Sequence, residues 1–125
     1  MKLRIKGNSI RLRLSQSEVK KFGESEICFD KIAFGETSLT YQLHMAEVDS
    51  VTAEFGNNTI AVAVPSELGQ KWVSDNEMVG FDHNQTFKNG TQLFILIEKD
   101  FQCLTERKHE DETDNFANPQ AGDVC

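Results

Sequence analysis

The chain has 125 residues, of which 38% are hydrophobic and 26% are charged, and its formal net charge is −7. This length fits one domain, residues 1–125, and the composition excludes a disordered, collagen-like or low-complexity protein. Apolar runs such as Leu93–Ile97 are far too short to cross a membrane, and the first residues lack a signal-peptide core. Three widely spaced cysteines indicate no disulfide framework, so we expect a reduced, cytoplasmic protein without membrane contact.

The charge is distributed unevenly along the chain. Residues 1–31 contain eight basic and four acidic residues, a net +4, whereas residues 32–125 contain five basic and sixteen acidic residues, a net −11. This asymmetry predicts a basic face early in the fold and an acidic region later. The two regions could neutralise each other within the fold, or each could serve an external partner.

The first 50 residues predict a strand-strand-helix-strand-strand unit. Alternating apolar and charged residues flank Gly7-Asn8, which suits a tight hairpin turn. Ser15 and Glu18 form a capping-box pattern that begins a short helix, and Gly35-Glu36 marks the turn of a second hairpin. The predicted strands and helix are Lys2–Lys6, Ser9–Leu14, 15–22, Glu26–Phe34 and Ser38–Met45.

The same order recurs after a shift of 50 residues, which predicts an internal duplication. Asn57-Asn58 and Asn89-Gly90 mark the two turns, and Pro65-Ser66 begins the helix. The predicted elements of this second copy are Thr52–Phe55, Thr59–Val64, 66–73, Glu77–Phe87 and Thr91–Glu98. The repeats therefore cover residues 1–50 and 51–98, and residues 99–125 form an irregular acidic tail.

One such unit is close to the lower size limit for independent folding, but two can bury each other's apolar faces. The predicted fold is therefore mainly β with two short helices. Internally duplicated ββαββ units form a small β-barrel with pseudo-twofold symmetry, followed by the irregular C-terminal tail.

The first hairpin carries the candidate binding residues. The predicted turn places Arg4 opposite Arg11 and Lys2 opposite Arg13, and like charges in these positions destabilise a sheet. Either the fold supplies carboxylates to these four residues, or they hold an external anion such as nucleic acid or an acidic protein partner. The candidate internal sources are the acidic residues of the tail and three other carboxylates, Glu26, Asp30 and Glu54.

The segment Lys6–Ser9, followed by alternating apolar and arginine residues, a capped helix and a second hairpin, resembles the swapped-hairpin barrels of the AbrB and MazE type. The resemblance covers residues 1–45 and, more loosely, 51–98. It implies a fused pseudo-dimer, DNA contacts by Arg4 and Arg13, and either a DNA-binding regulator or an antitoxin whose acidic tail binds a toxin.

The second copy changes the expectation for nucleic acid. It has Glu54, Ala61 and Ala63 where the first copy has arginines. A symmetric DNA reader needs both basic surfaces, and affinity for DNA depends largely on phosphate neutralisation. We therefore expect weak nucleic-acid binding or none.

The two ends of the chain carry a second resemblance. The start MKLRIKGNSIRLRL, together with Leu96–Leu104, Glu110–Asp114, Asn118-Pro119 and the last residue Cys125, resembles an uncharacterised bacterial family of about this length. This resemblance spans the whole chain and implies no particular activity.

The tail also contains potential zinc ligands. Cys103, His109 and Cys125, with Asp111 or Asp114 as a fourth ligand, could hold zinc, although their spacing matches no standard finger or ribbon. Alternatively, Cys103 is a packed side chain and Cys125 a loose one.

The sequence contains no nucleophile elbow, phosphate-binding loop or paired catalytic carboxylates. The first hypothesis is therefore a non-enzymatic interaction module without a cofactor. The alternatives are a metal-binding protein, a DNA-binding regulator or antitoxin, and an enzyme with its site in the mouth of the barrel, since catalytic groups can also be assembled in space. The oligomeric state stays open, since a fused pseudo-dimer could be a monomer.

Overall fold

The computed structural model describes residues 1–101, which form eight strands and two helices. The elements are β1 (Lys2–Lys6), β2 (Ser9–Leu14), α1 (Gln16–Ser25), β3 (Ile27–Phe34), β4 (Thr37–Ala46), β5 (Thr52–Gly56), β6 (Thr59–Pro65), α2 (Ser66–Ser74), β7 (Gly80–Thr86) and β8 (Gln92–Lys99). The mainly β class and the twofold ββαββ order are those that the sequence predicts. Within residues 1–101, neither helix has the length and apolar character that crossing a membrane requires.

The two halves of the chain exchange hairpins. The first sheet has the strand order β1-β2-β8-β7, and the second sheet has the order β3-β4-β6-β5. Each sheet therefore combines one hairpin from each half, joined by a parallel pairing of β2 with β8 or of β4 with β6. The two strand orders are equivalent by the 50-residue shift, as a pseudo-twofold arrangement requires. The duplication of the sequence itself stays a prediction.

The predicted barrel is not closed. In residues 1–101 the strands form two separate four-stranded sheets, and side chains bridge the seams between them. The side-chain amide of Gln85 on β7 hydrogen-bonds the backbone of Ala53 on β5. At the other seam the α-amino group of Met1 contacts Asp30 on β3 at 2.6 Å. At these two points side chains or the terminal amine, and not a backbone ladder, join the edges of the two sheets.

A single core lies between the sheets, and the helices cover one end of it. Phe22 of α1 and Trp72 of α2 are fully buried and meet edge to face, with ring centroids 6.1 Å apart. A Cβ atom on Gly23 would lie 2.7 Å from Val73 Cγ1, so the absence of a side chain lets the helices approach. The other fully buried side chains come from four inner strands: Leu12, Leu14, Leu43, Val62, Val64, Ile95 and Ile97.

Strand β7 begins three residues later than predicted. The Asp75 carboxylate accepts a hydrogen bond from the Glu77 backbone at 2.9 Å, and the Met78 N–H bonds the Asp75 carbonyl at 3.1 Å. These bonds hold a turn after α2, and the strand starts only at Gly80. A Cβ atom on Gly80 would lie 2.5 Å from the Ile97 carbonyl oxygen, so the close approach of β7 to β8 requires glycine.

Candidate interaction face

The four predicted binding residues share one face of the first sheet. The register pairs Lys2 with Arg13 and Arg4 with Arg11, as the two-residue turn predicts. Lys6 continues the same alternation on β1. Buried Ile10 and Leu12 on β2 point to the core, so these five cations point outward. We call them the basic face: Lys2, Arg4, Lys6, Arg11 and Arg13.

Strand β8 supplies a carboxylate to the basic face. The parallel pairing of β2 with β8 places Glu98 opposite Arg13. One Glu98 carboxylate oxygen lies 3.2 Å from Arg11 Nε and 3.1 Å from Arg13 Nε. Glu98 therefore links the two arginines that stand on the same strand, which relieves their mutual repulsion.

A second carboxylate comes from the residue after β8. Asp100 lies 3.2 Å from Arg13 Nη2 and 2.7 Å from Lys2 Nζ. The expectation that the fold supplies carboxylates to these cations is confirmed, with Asp100 from the predicted tail as one source. Asp30, another proposed source, contacts the Met1 α-amino group.

The basic face has an inner, structural side and an outer, accessible side. The Arg13 and Glu98 side chains are each 16% exposed, whereas the Lys2 side chain is 72% exposed. Arg13 Nε is buried and makes no hydrogen bond of good geometry, so its contact with Glu98 is an ion pair. Arg4 and Lys6 are exposed on the edge strand β1. The edge of the sheet is therefore the part that a partner can reach.

The equivalent face of the second sheet lacks this charge. There Glu54 stands opposite Ala61, and Ala63 stands opposite Thr52. On the neighbouring strand β4, His44 takes the place that Glu98 has in the first sheet. Only one of the two sheets thus presents a ladder of cations.

Comparison of the whole sequence with protein families shows which family the chain belongs to. A family model matches residues 1–120, which is almost the entire chain. The chain belongs to DUF7009, a family of unknown function. No curated protein and no solved structure matches the chain significantly. Membership of DUF7009 confirms the predicted uncharacterised family, whereas a bacterial origin stays a prediction.

The predicted zinc ligands of this DUF7009 member lie outside the described residues. These are Cys103, His109, Asp111, Asp114 and Cys125, and the zinc site stays a prediction. Within residues 1–101, no group of three or more His, Cys, Asp or Glu side chains could hold a metal ion. Cys28 is buried on β3, and burial raises the pKa of its thiol, which makes it a poor nucleophile.

A polar cluster at the start of β1 was missed by sequence reasoning. The Met1 α-amino group pairs with the carboxylates of Glu18 and Asp30, and the Tyr41 hydroxyl donates a hydrogen bond to the Met1 carbonyl at 2.9 Å. Glu18 was recognised only through its capping box with Ser15, which the structure also contains. The other contacts join residues that are far apart in the sequence, so no local sequence pattern predicts them.

Proposed function

We propose that this protein is a non-catalytic interaction module that holds an acidic segment of a partner protein on its basic face. The observation that supports this is the concentration of cations on one face of the first sheet, where five of them lie on the neighbouring strands β1 and β2. Glu98 and Asp100 contact the inner part of this face. Lys2, Arg4 and Lys6 are exposed on the edge strand β1, where their positive charge can attract an anion.

The geometry of β1 favours an extended acidic segment over duplex DNA. Lys2, Arg4 and Lys6 are alternate residues of one strand, spaced at about 6.6 Å, which is also the spacing of alternate side chains in an extended peptide. Arginine also binds carboxylates through two parallel hydrogen bonds. The equivalent positions of the second sheet carry no cations, so residues 1–101 do not present the paired surfaces with which a symmetric reader meets two half-sites.

Fluorescence anisotropy tests this function with a labelled peptide of about ten glutamates. We expect binding that weakens from about 50 to 200 mM salt, because ion pairs carry it. The double variant Arg4→Gln/Lys6→Gln should weaken binding about tenfold. The matched control is Lys20→Gln/Lys88→Gln, which removes two exposed lysines elsewhere and changes the net charge equally.

Equal losses in the two double variants, or no binding at low salt, would contradict the proposal. A labelled DNA duplex serves as the second probe. Tighter, sequence-dependent binding to the duplex than to the peptide would replace the proposal with a DNA-binding regulator.

A further inference from the structure

The end of the molecule opposite the helices is open and apolar. The four hairpin turns lie at this end, and between them is a groove of about 450 Å³. Phe55 is 73% exposed and Phe87 is 37% exposed, and both side chains line this groove. The groove is lined by Ile10, Ala53, Glu54, Phe55, Ile60, Phe87 and Leu93.

The groove lies beside an open strand edge. Strand β5 is at the edge of its sheet. Gln85 Oε1 accepts a hydrogen bond from the Ala53 N–H at 2.7 Å, and Gln85 Nε2 donates to the Ala53 carbonyl at 3.3 Å. Because hydrogen-bonding groups alternate along an antiparallel strand, the N–H and carbonyl of Phe55 point to the same open side. Nothing in residues 1–101 bonds them.

The side chain of Gln85 shows what kind of group this edge accepts. Its amide presents an N–H donor beside a carbonyl acceptor, as a backbone peptide group does, and it binds Ala53 through both. One step further along β5, the same pair of backbone groups stands next to an apolar groove. A ligand that matches both features carries a peptide backbone with an apolar side chain beside it.

We propose that an extended peptide segment of a partner adds to the open edge of β5 beside Phe55. Its backbone pairs with Phe55, one apolar side chain enters the groove, and the neighbouring side chain on the other face is basic and lies beside Glu54. Glu54 is the charged residue in the groove lining, and the protein carries a net charge of −7. These charges favour a cationic segment and disfavour the acidic tail of this chain.

This site is separate from the basic face and takes the opposite charge. The basic face lies on β1 and β2 of the first sheet, whereas the edge of β5 belongs to the second sheet. The two proposals can therefore fail independently, because each has its own probe and its own variants.

Anisotropy with the full chain tests the proposal, using a labelled peptide of about eight alternating valines and lysines. We expect Phe55→Ser to weaken binding about tenfold. Phe29→Ser is the matched control, because Phe29 is 48% exposed on the outer face of the second sheet, and it should leave binding unchanged. Both variants replace exposed side chains, and a thermal melt confirms that each remains folded.

A second probe tests the backbone pairing itself. The same peptide with N-methylated valines keeps its charge and side chains but loses backbone donors, and it should bind about tenfold more weakly. Equal binding of the two peptides would overturn the proposal, since the groove would then recognise side chains alone. Equal loss in Phe55→Ser and Phe29→Ser would also overturn it. Self-association that Phe55→Ser abolishes would assign the edge to a second copy instead.

Discussion

The α-amino group of Met1 lies between two carboxylates at the start of β1. Burial alone would lower the pKa of this amine, but hydrogen bonds to Asp30 and Glu18 outweigh burial and raise it above 8.0. Burial alone would raise the pKa of Glu18, but hydrogen bonds from the Met1 amine and from Ser15 outweigh it and lower the pKa below 4.5. Both charged forms are thus favoured in the folded state.

These two shifts predict how stability depends on pH. The amine with a raised pKa stabilises the fold fully below pH 8.0, and this contribution is lost as pH rises through its folded-state pKa. Glu18, with a lowered pKa, stabilises the fold above pH 4.5, and this contribution is lost as pH falls through its folded-state pKa. The ion pair therefore contributes most between these two values.

We expect Glu18→Gln to lower the free energy of unfolding by about 1–2 kcal/mol at neutral pH. Glutamine can still accept the Ser15 hydrogen bond of the capping box, so the change isolates the charge. Thermal melts across pH should show a difference from wild type that shrinks below pH 4.5 and above 8.0. Glu24→Gln, at an exposed position on the same helix, is the control, and a pH-independent difference would contradict the assignment.

At the scale of secondary-structure elements, the β1–β2 hairpin depends on β8. Its two strands place cations opposite one another, and Glu98 from β8 lies against Arg11 and Arg13. An isolated hairpin of this sequence would keep the repulsion without the carboxylate. The parallel pairing of β2 with β8 therefore joins the two halves of the chain. It also brings a carboxylate that offsets the positive charge of Arg11 and Arg13.

We expect Glu98→Gln to destabilise the protein by about 1–3 kcal/mol, because it leaves two partly buried arginines without their shared carboxylate. The loss of stability should shrink as salt is added, because salt screens the repulsion between the two arginines that Glu98 otherwise offsets. Denaturant unfolding at low and high salt measures the loss of stability and its dependence on salt. Asp82→Asn removes an exposed carboxylate from the same face of the sheet and should change little. Equal effects of the two substitutions would show that overall charge, and not this contact, is responsible.

The sequence predicted what local chemistry determines. The two-residue turn at Gly7-Asn8 sets which residues of β1 and β2 face each other, so Arg4 could be placed opposite Arg11. The need for a carboxylate followed from that register. That Glu98 provides one could not be predicted, because it depends on which distant strand pairs with β2. The Gln85 contact with Ala53 and the Met1 contact with Asp30 could not be predicted for the same reason, because each depends on how distant strands are placed.

At the scale of the whole molecule, the exchanged hairpins make each half incomplete. Strand β2 pairs with β8, and β4 pairs with β6, so neither half contains a whole sheet. Phe22 from the first half meets Trp72 from the second in the core. The hydrophobic core is thus shared, and unfolding should be a single cooperative transition.

We expect separate fragments of residues 1–50 and 51–125 to be largely unfolded alone and to assemble when mixed. The two different fragments should associate more tightly than two copies of the same fragment. In a dimer of the first fragment, Arg13 would lie beside His44 of the other copy, whereas in the complete chain it lies beside Glu98. Burial of Trp72 against Phe22 should shift tryptophan emission to the blue on mixing, and Phe22→Ala in the first fragment should weaken the assembly. A fragment that folds alone as a monomer would show that the exchanged hairpins are not required for the fold.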